Sequence, residues 1–143
     1  EAGEALYFNE NAIRSGIRGI INVMRAIGML PKSHKARTQE PVISSKTSWI
    51  RAPRSGVFFK QASLGSLVKK GALLGIINDP LGNESESVYA PFTGVAIGQL
   101  TLPLVHEGDA LVNLAKVEDP DEAESTLDDY TSNLTEEDYG LER

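Results

Sequence analysis

The pattern Ala-Pro-x-x-Gly-Val occurs twice, at Ala52–Val57 and at Ala90–Val95, 38 residues apart. A second pair follows in the same order. "LVKKGALL" at Leu67–Leu74 is answered by "LVHEGDAL" at Leu104–Leu111, where the offset from Gly71 to Gly108 is 37. A chain that repeats its punctuation in one order is constrained to use one small unit twice and to pack the copies together. Each proline lacks an N–H and suits a strand end. Gly56 and Gly94, three residues beyond each proline, are expected in tight turns with positive φ. Gly71 and Gly108 each follow two polar residues, as in a turn feeding the next strand. Between these marks lie β-prone runs at Thr47–Ala52, Gly56–Gln61, Ala72–Ile77, Ser87–Ala90, Gly94–Leu100 and Ala110–Val117. Short strands in two matched halves imply a mainly β fold, a small sandwich or barrel.

At 143 residues the chain has room for one domain, or a small domain with appendages. No apolar run approaches the ~18 residues of a membrane span. The opening "EAGEAL" has no basic region of the kind that starts a secretory signal. It also has no Met, so a piece of a longer protein is expected. The absence of cysteine removes disulfides and thiolate metal sites, and a cytoplasmic location is expected. The net charge of −6 is unevenly spread. Glu118–Arg143 carries eleven acids and one base, and the rest carries 13 bases and 9 acids. The bases are scattered, so neither nucleic acid nor a membrane is expected as a partner. The acidic segment has few large apolar residues. It is expected to be disordered and to be removable without loss of stability.

Near the N-terminus, Asn9 suits an N-cap and Glu10 a first turn. Ile13, Ile17, Ile20, Met24 and Ile27 then recur at helical spacing. Gly28 suits a C-cap, and Pro31 forbids continuation. Arg14, Arg18 and Arg25 fall off the apolar stripe. Gly16 and Gly19 each cost the helix roughly 1 kcal/mol relative to alanine, and their spacing suggests close packing against another element. Residues 31–45 read as a polar linker with Lys32, Lys35 and Arg37. His34 and His106 are too far apart, and too poorly accompanied, to read as a metal-ligand set.

The wording Ala-Pro-x-x-Gly followed by Val-x-x-Gly-x-x-Leu resembles the biotinyl/lipoyl-like barrel-sandwich hybrid, over about residues 48–117. That resemblance implies two interlocked halves about a pseudo-twofold axis. Carriers of that fold present a lysine on the hairpin between the halves. Here that connection, Asn78–Ser87, holds no lysine. Lys69 and Lys70 lie in a turn before a strand and are expected to be solvated.

"EAGEALYFNENAIRSGIRGIINVMRAIGML", a linker and then the β-unit resemble the C-terminal part of the succinylglutamate desuccinylase/aspartoacylase family. These are zinc-dependent amidohydrolases related to the zinc carboxypeptidases. "DPLG" at Asp79–Gly82 and "GDAL" at Gly108–Leu111 add to the likeness. The resemblance implies a mainly β barrel-sandwich hybrid preceded by one amphipathic helix from the edge of an α/β catalytic domain. Residues 1–30 would be the end of that domain, 31–45 the linker, 46–117 the β-domain and 118–143 the tail. Glu1 of Glu1-Ala2-Gly3 would be the general acid/base, with Glu4 as its near competitor. Zinc would belong to the full-length enzyme, its ligands and the substrate-binding arginines lying upstream of this chain, and neither metal nor cofactor would bind to residues 1–143 alone. The reaction implied is removal of an acyl group from an N-acyl amino acid or related amide. This chain alone would be inactive, with the β-domain shielding the active site. Its expected partners are the rest of the catalytic domain, a small N-acyl substrate and further copies in a homo-oligomer. The alternative is a non-catalytic biotinyl/lipoyl-like binding or interaction module.

Overall fold

The computed structural model describes residue 3, residues 6–32 and residues 41–135. The chain divides into two compact units, Glu1–Glu40 with Asp128–Arg143, and Pro41–Leu127.

In the first unit, helix α1 spans Glu10–Ala26. It begins where the sequence places it. The Asn9 side chain accepts the Ala12 amide at 3.0 Å, satisfying one of the free N–H groups of the first turn. Glu10 pairs with Arg14 one turn on, at 3.5 Å. The helix ends at Ile27, and Gly28 follows at φ 78, the left-handed position that glycine adopts without a Cβ penalty.

The second unit is built from eight strands, β1 Thr47–Arg51, β2 Gly56–Lys60, β3 Leu67–Val68, β4 Leu73–Asn78, β5 Ser85–Tyr89, β6 Gly94–Gln99, β7 Leu104–Val105 and β8 Ala110–Lys116. All pair antiparallel, in two four-stranded sheets ordered β1-β8-β6-β3 and β5-β4-β2-β7. Advancing every strand by four positions converts the first order into the second. The two sheets share one core. Phe58, Leu74, Ile77, Val88 and Val105 come from one sheet, and Ala96, Leu111, Val112 and Leu114 from the other. Over the described residues the fold is thus mainly β, with two antiparallel sheets and two helices. The six longer strands match the β-prone runs of the sequence, whereas β3 and β7 are two-residue strands that no run announces.

The paired sequence marks have paired structural jobs. The Ala52 amide donates to Asp109 O at 2.8 Å, and the Gly108 amide donates to Ala52 O at 2.9 Å. The Ala90 amide donates to Ala72 O at 2.9 Å, and the Gly71 amide to Ala90 O at 2.8 Å. Each Ala-Pro is therefore bonded to the glycine turn that belongs to the other copy of the motif. A hydroxyl adds to each junction. Ser55 Oγ accepts the Glu107 amide and Thr93 Oγ1 accepts the Lys70 amide, both at 3.0 Å. Each such bond is worth about 1 kcal/mol net. The motif is better written Ala-Pro-x-Ser/Thr-Gly-Val.

Gly56 and Gly94 are not turn residues, contrary to the expectation above. They open β2 and β6. Their role is close backbone approach: a Cβ at Gly56 would collide with Asn78 O, and one at Gly94 would lie 2.5 Å from Ala115 O. The positive-φ turns are made at Gly71 and Gly108, at φ 81 and 89.

The acidic segment also departs from expectation. Over Pro120–Thr135 it forms helix α2 instead of remaining disordered. Asp119 caps its start, its carboxylate accepting the Asp121 and Glu122 amides at 3.1 and 3.0 Å. Asp121 and Glu122 occupy the first turn, where negative charge is favourable. Ala123 is buried with Val95 and Val117, and Leu67 and Leu127 pack on them. The helix owes its stability to this burial, since few of its other residues are apolar. Residues 136–143 lie outside the described residues.

The same contacts reverse the expectation that the segment is dispensable. Ending the chain after Glu118 strips cover from Val95, Val117 and Leu67. The expected loss is about 2 kcal/mol, a fall in Tm of roughly 10 °C for a unit of this size. Ala123→Asp should do comparable damage by placing a charge in that apolar contact. An unchanged melting curve for both variants would mean that α2 does not cover this face in solution.

Candidate functional site

The candidate acid/base, Glu1, and its competitor Glu4 lie outside the described residues. What the structure places is the end of their motif. Gly3 has φ 80, and a Cβ there would come 3.3 Å from Asn9 Cβ and 3.7 Å from Ala12 Cβ. The left-handed backbone favours glycine here, and the first turn of α1 would hold an added Cβ in tight contact.

Leu6, Tyr7 and Phe8 follow and are all exposed. So is most of the apolar stripe of α1. Ile13, Ile17, Ile20 and Ile27 are exposed, as is Val23, and Met24 is half-buried. The buried residue of the helix is Ile21. It shares a face with Arg14, Arg18 and Arg25, which are half-buried. On that face the Ser15 and Tyr130 hydroxyls are hydrogen-bonded at 3.0 Å, Tyr130 coming from the last turns of α2. The helix therefore covers its arginine face and leaves its isoleucine face open. Gly16 and Gly19 have no other atom within 4 Å of a built Cβ, so the close packing expected of them is not made by the described residues.

The remaining sequence candidates are scattered. His34 lies outside the described residues. His106 is exposed in the turn before β8, where its amide donates to the Asp109 carboxylate at 2.8 Å. Lys69 and Lys70 are exposed in the turn before β4. Among the described residues no three His, Asp or Glu side chains lie close enough together to hold a metal ion. None of the described helices is long and apolar enough to cross a membrane.

The β4–β5 hairpin carries Leu81 at its tip, 83% exposed. Asp79 shapes the turn: its carboxylate accepts the Leu81 amide, its carbonyl accepts the Gly82 amide, and Gly82 sits at φ 75. Arg54 braces the hairpin through Glu84 at 3.0 Å.

No family model and no curated protein matches the chain. Solved structures do match. The succinylglutamate desuccinylase/aspartoacylase of Rhodobacter sphaeroides is 21% identical at a TM-score of 0.60, covering 79% of this chain and 37% of its own. The ectoine utilization protein EutE (DoeB) of Ruegeria pomeroyi, in its apo form, is 18% identical at 0.56, covering 76% and 35%. A succinylglutamate desuccinylase of Silicibacter sp. TM1040 is 17% identical at 0.54, covering 77% and 35%. Over those stretches this chain shares their fold. It spans about a third of the length of the structures it matches.

One feature escaped the strand-by-strand reading of the sequence. The outer face of the β5-β4-β2-β7 sheet carries Val57, Phe59, Ile76 and Leu104. The available signal was apolar continuity: "GVFF" and "LLGII" place apolar residues on both faces of their strands, the pattern of a sheet covered on both sides.

Proposed function

We propose that this chain is the C-terminal part of a zinc-dependent amidohydrolase of the succinylglutamate desuccinylase/aspartoacylase family, which removes an acyl group from an N-acyl amino acid or related amide. The observation that carries the reading is the fold likeness to solved proteins of that family, whose chains extend far beyond the matched part. Gly3 supports it, because the Glu-x-Gly motif ends on a residue whose left-handed backbone favours glycine. The open isoleucine face of α1 supports it too, since the edge helix of a catalytic domain would be covered by that domain.

In this reading residues 46–117 form a barrel-sandwich hybrid of two related halves. The matching strand orders and the reciprocal junctions at Ala52 and Ala90 favour that description. The β-unit shields the mouth of the active site and supports assembly into a homo-oligomer. The lysine-free hairpin at Leu81 weighs against a biotinyl or lipoyl carrier.

The described residues of this chain do not offer a zinc site. His106 is exposed and has no second and third ligand with it. In this reading the ligands lie in the upstream polypeptide. The chemistry assigned to this chain is proton transfer. The Glu1 carboxylate takes a proton from the attacking water and delivers it to the departing amine. The location proposed is the cytoplasm, which a cysteine-free chain suits.

The test is hydrolysis by the parent polypeptide. Release of free amine from a panel of N-acyl amino acids, lost on chelation and restored by zinc, is the expected result. A parent polypeptide that carries stoichiometric zinc and hydrolyses none of the panel would remove the reading.

A further inference from the structure

The two sheets correspond strand for strand, yet among the described residues only one has a helix packed on part of its outer face. In the β1-β8-β6-β3 sheet, Leu67 of β3 pairs with Val95 of β6. Val68 and Ala96 point into the core, so Leu67 and Val95 point outward. Ala123 and Leu127, one turn apart on α2, lie over them together with Val117.

In the other sheet, Leu104 of β7 pairs with Val57 of β2. Val105 and Phe58 point into the core, so Leu104 and Val57 point outward in the same way. Phe59 and Ile76, a directly opposed pair, continue the face. Leu104 is 65% exposed and Phe59 52%. The four side chains are uncharged and form two neighbouring apolar pairs on the face.

The reason for the difference lies in the chain path. After β8 the chain runs through Val117 into α2, which returns over its sheet. After β4, the equivalent strand, it turns through Asp79 and Gly82 into β5. The residues that could have covered the second sheet are spent on a hairpin. No described element of Pro41–Leu127 is left to lie over this face, so a cover would come from outside that unit. The solved structures with this fold supply a source, since this chain spans only 35–37% of three of them.

Resting on the C-terminal reading above, we infer that the Val57–Phe59–Ile76–Leu104 face is the seat of an amphipathic helix from the polypeptide upstream of this chain. That helix would present a small residue and a leucine one turn apart, as Ala123 and Leu127 do on the corresponding pair. The small residue lets the helix approach the sheet closely, and the leucine fills the space beside the Leu–Val pair.

Residues 1–143 have no cysteine, so a thiol introduced there is read cleanly when the labelled peptide is identified by mass. Leu104→Cys is made in the 143-residue chain and in the parent polypeptide, with Leu81→Cys at the hairpin tip as the exposed control. The rate of reaction with a maleimide is measured in each. The expected result is a Leu104→Cys thiol that reacts freely in the short chain and at least about ten times more slowly in the parent, with Leu81→Cys equally fast in both. Phe59→Cys, on the same face, should repeat the result if Leu104→Cys folds poorly.

Equal rates in the two polypeptides at positions 104 and 59 would overturn the inference. So would protection in the short chain that grows with protein concentration, because the occupant would then be a second copy. Amide hydrolysis measured on the same parent sample separates the two claims. Protection without hydrolysis keeps the docking surface and removes the proposed function; hydrolysis without protection does the reverse.

Discussion

Gly94→Ala is expected to cost the β-unit about 3 kcal/mol, enough to lower its Tm by more than ~10 °C. The added methyl would lie 2.5 Å from Ala115 O and 3.1 Å from its carbonyl carbon, with Phe92 Cε2 at 3.4 Å. The first two atoms are backbone, so no rotamer change relieves the overlap. β6 would have to move away from β8, stretching the ladder that pairs Gly94 with Lys116 and Val95 with Ala115. Gly56→Ala should behave alike, its Cβ meeting Asn78 O in the same manner. Gly16→Ala is the contrasting case. It lies in α1 with open space around it, and alanine there should improve local helix stability by roughly 1 kcal/mol. Thermal denaturation of the three variants decides the matter. If Gly94→Ala melts with the parent chain, the strands are looser than described and the meaning assigned to the Ala-Pro-x-x-Gly motif is wrong.

Glu1→Gln in the parent polypeptide is expected to slow the chemical step by roughly 10²–10⁴-fold, the usual contribution of a positioned acid/base. Glutamine keeps the size of the side chain and removes the proton acceptor. KM and bound metal should change little, because this carboxylate is assigned neither to hold substrate nor to ligate. Glu4→Gln should have a much smaller effect. Steady-state kinetics with metal analysis on the same samples gives the split. A Glu1→Gln enzyme with near-parental kcat beside a crippled Glu4→Gln enzyme would move the role to Glu4. Two active variants would remove the proton-transfer assignment altogether.

Local chemistry written in consecutive residues was legible without the structure. Asn9 as N-cap, Glu10 in the first turn and Gly28 after the last delimit α1, because caps and left-handed exits depend on residues adjacent in the chain. The six longer strands were legible too, bounded by proline and glycine and filled with β-branched and aromatic residues. The glycine of Glu-x-Gly was legible as part of a family pattern; the place of Glu1 is not among the described residues.

Relations between distant residues were not legible. The helix in the acidic segment is held by Ala123 meeting Val95, 28 positions earlier, a contact that its local cap at Asp119 does not reveal. Which face of α1 is covered was not legible for the same reason. Periodicity identifies an apolar stripe, but burial depends on what lies opposite, and here the arginine face is covered while the isoleucines are open. The serine and threonine of the repeated motif were passed over because their partners, the amides of Glu107 and Lys70, lie 52 and 23 residues away. The sequence by itself determined where α1 and the six longer strands begin and end, since those signals act within one turn of chain. Only the tertiary structure decided which faces are covered, because burial is a property of two surfaces and a stretch of sequence describes one.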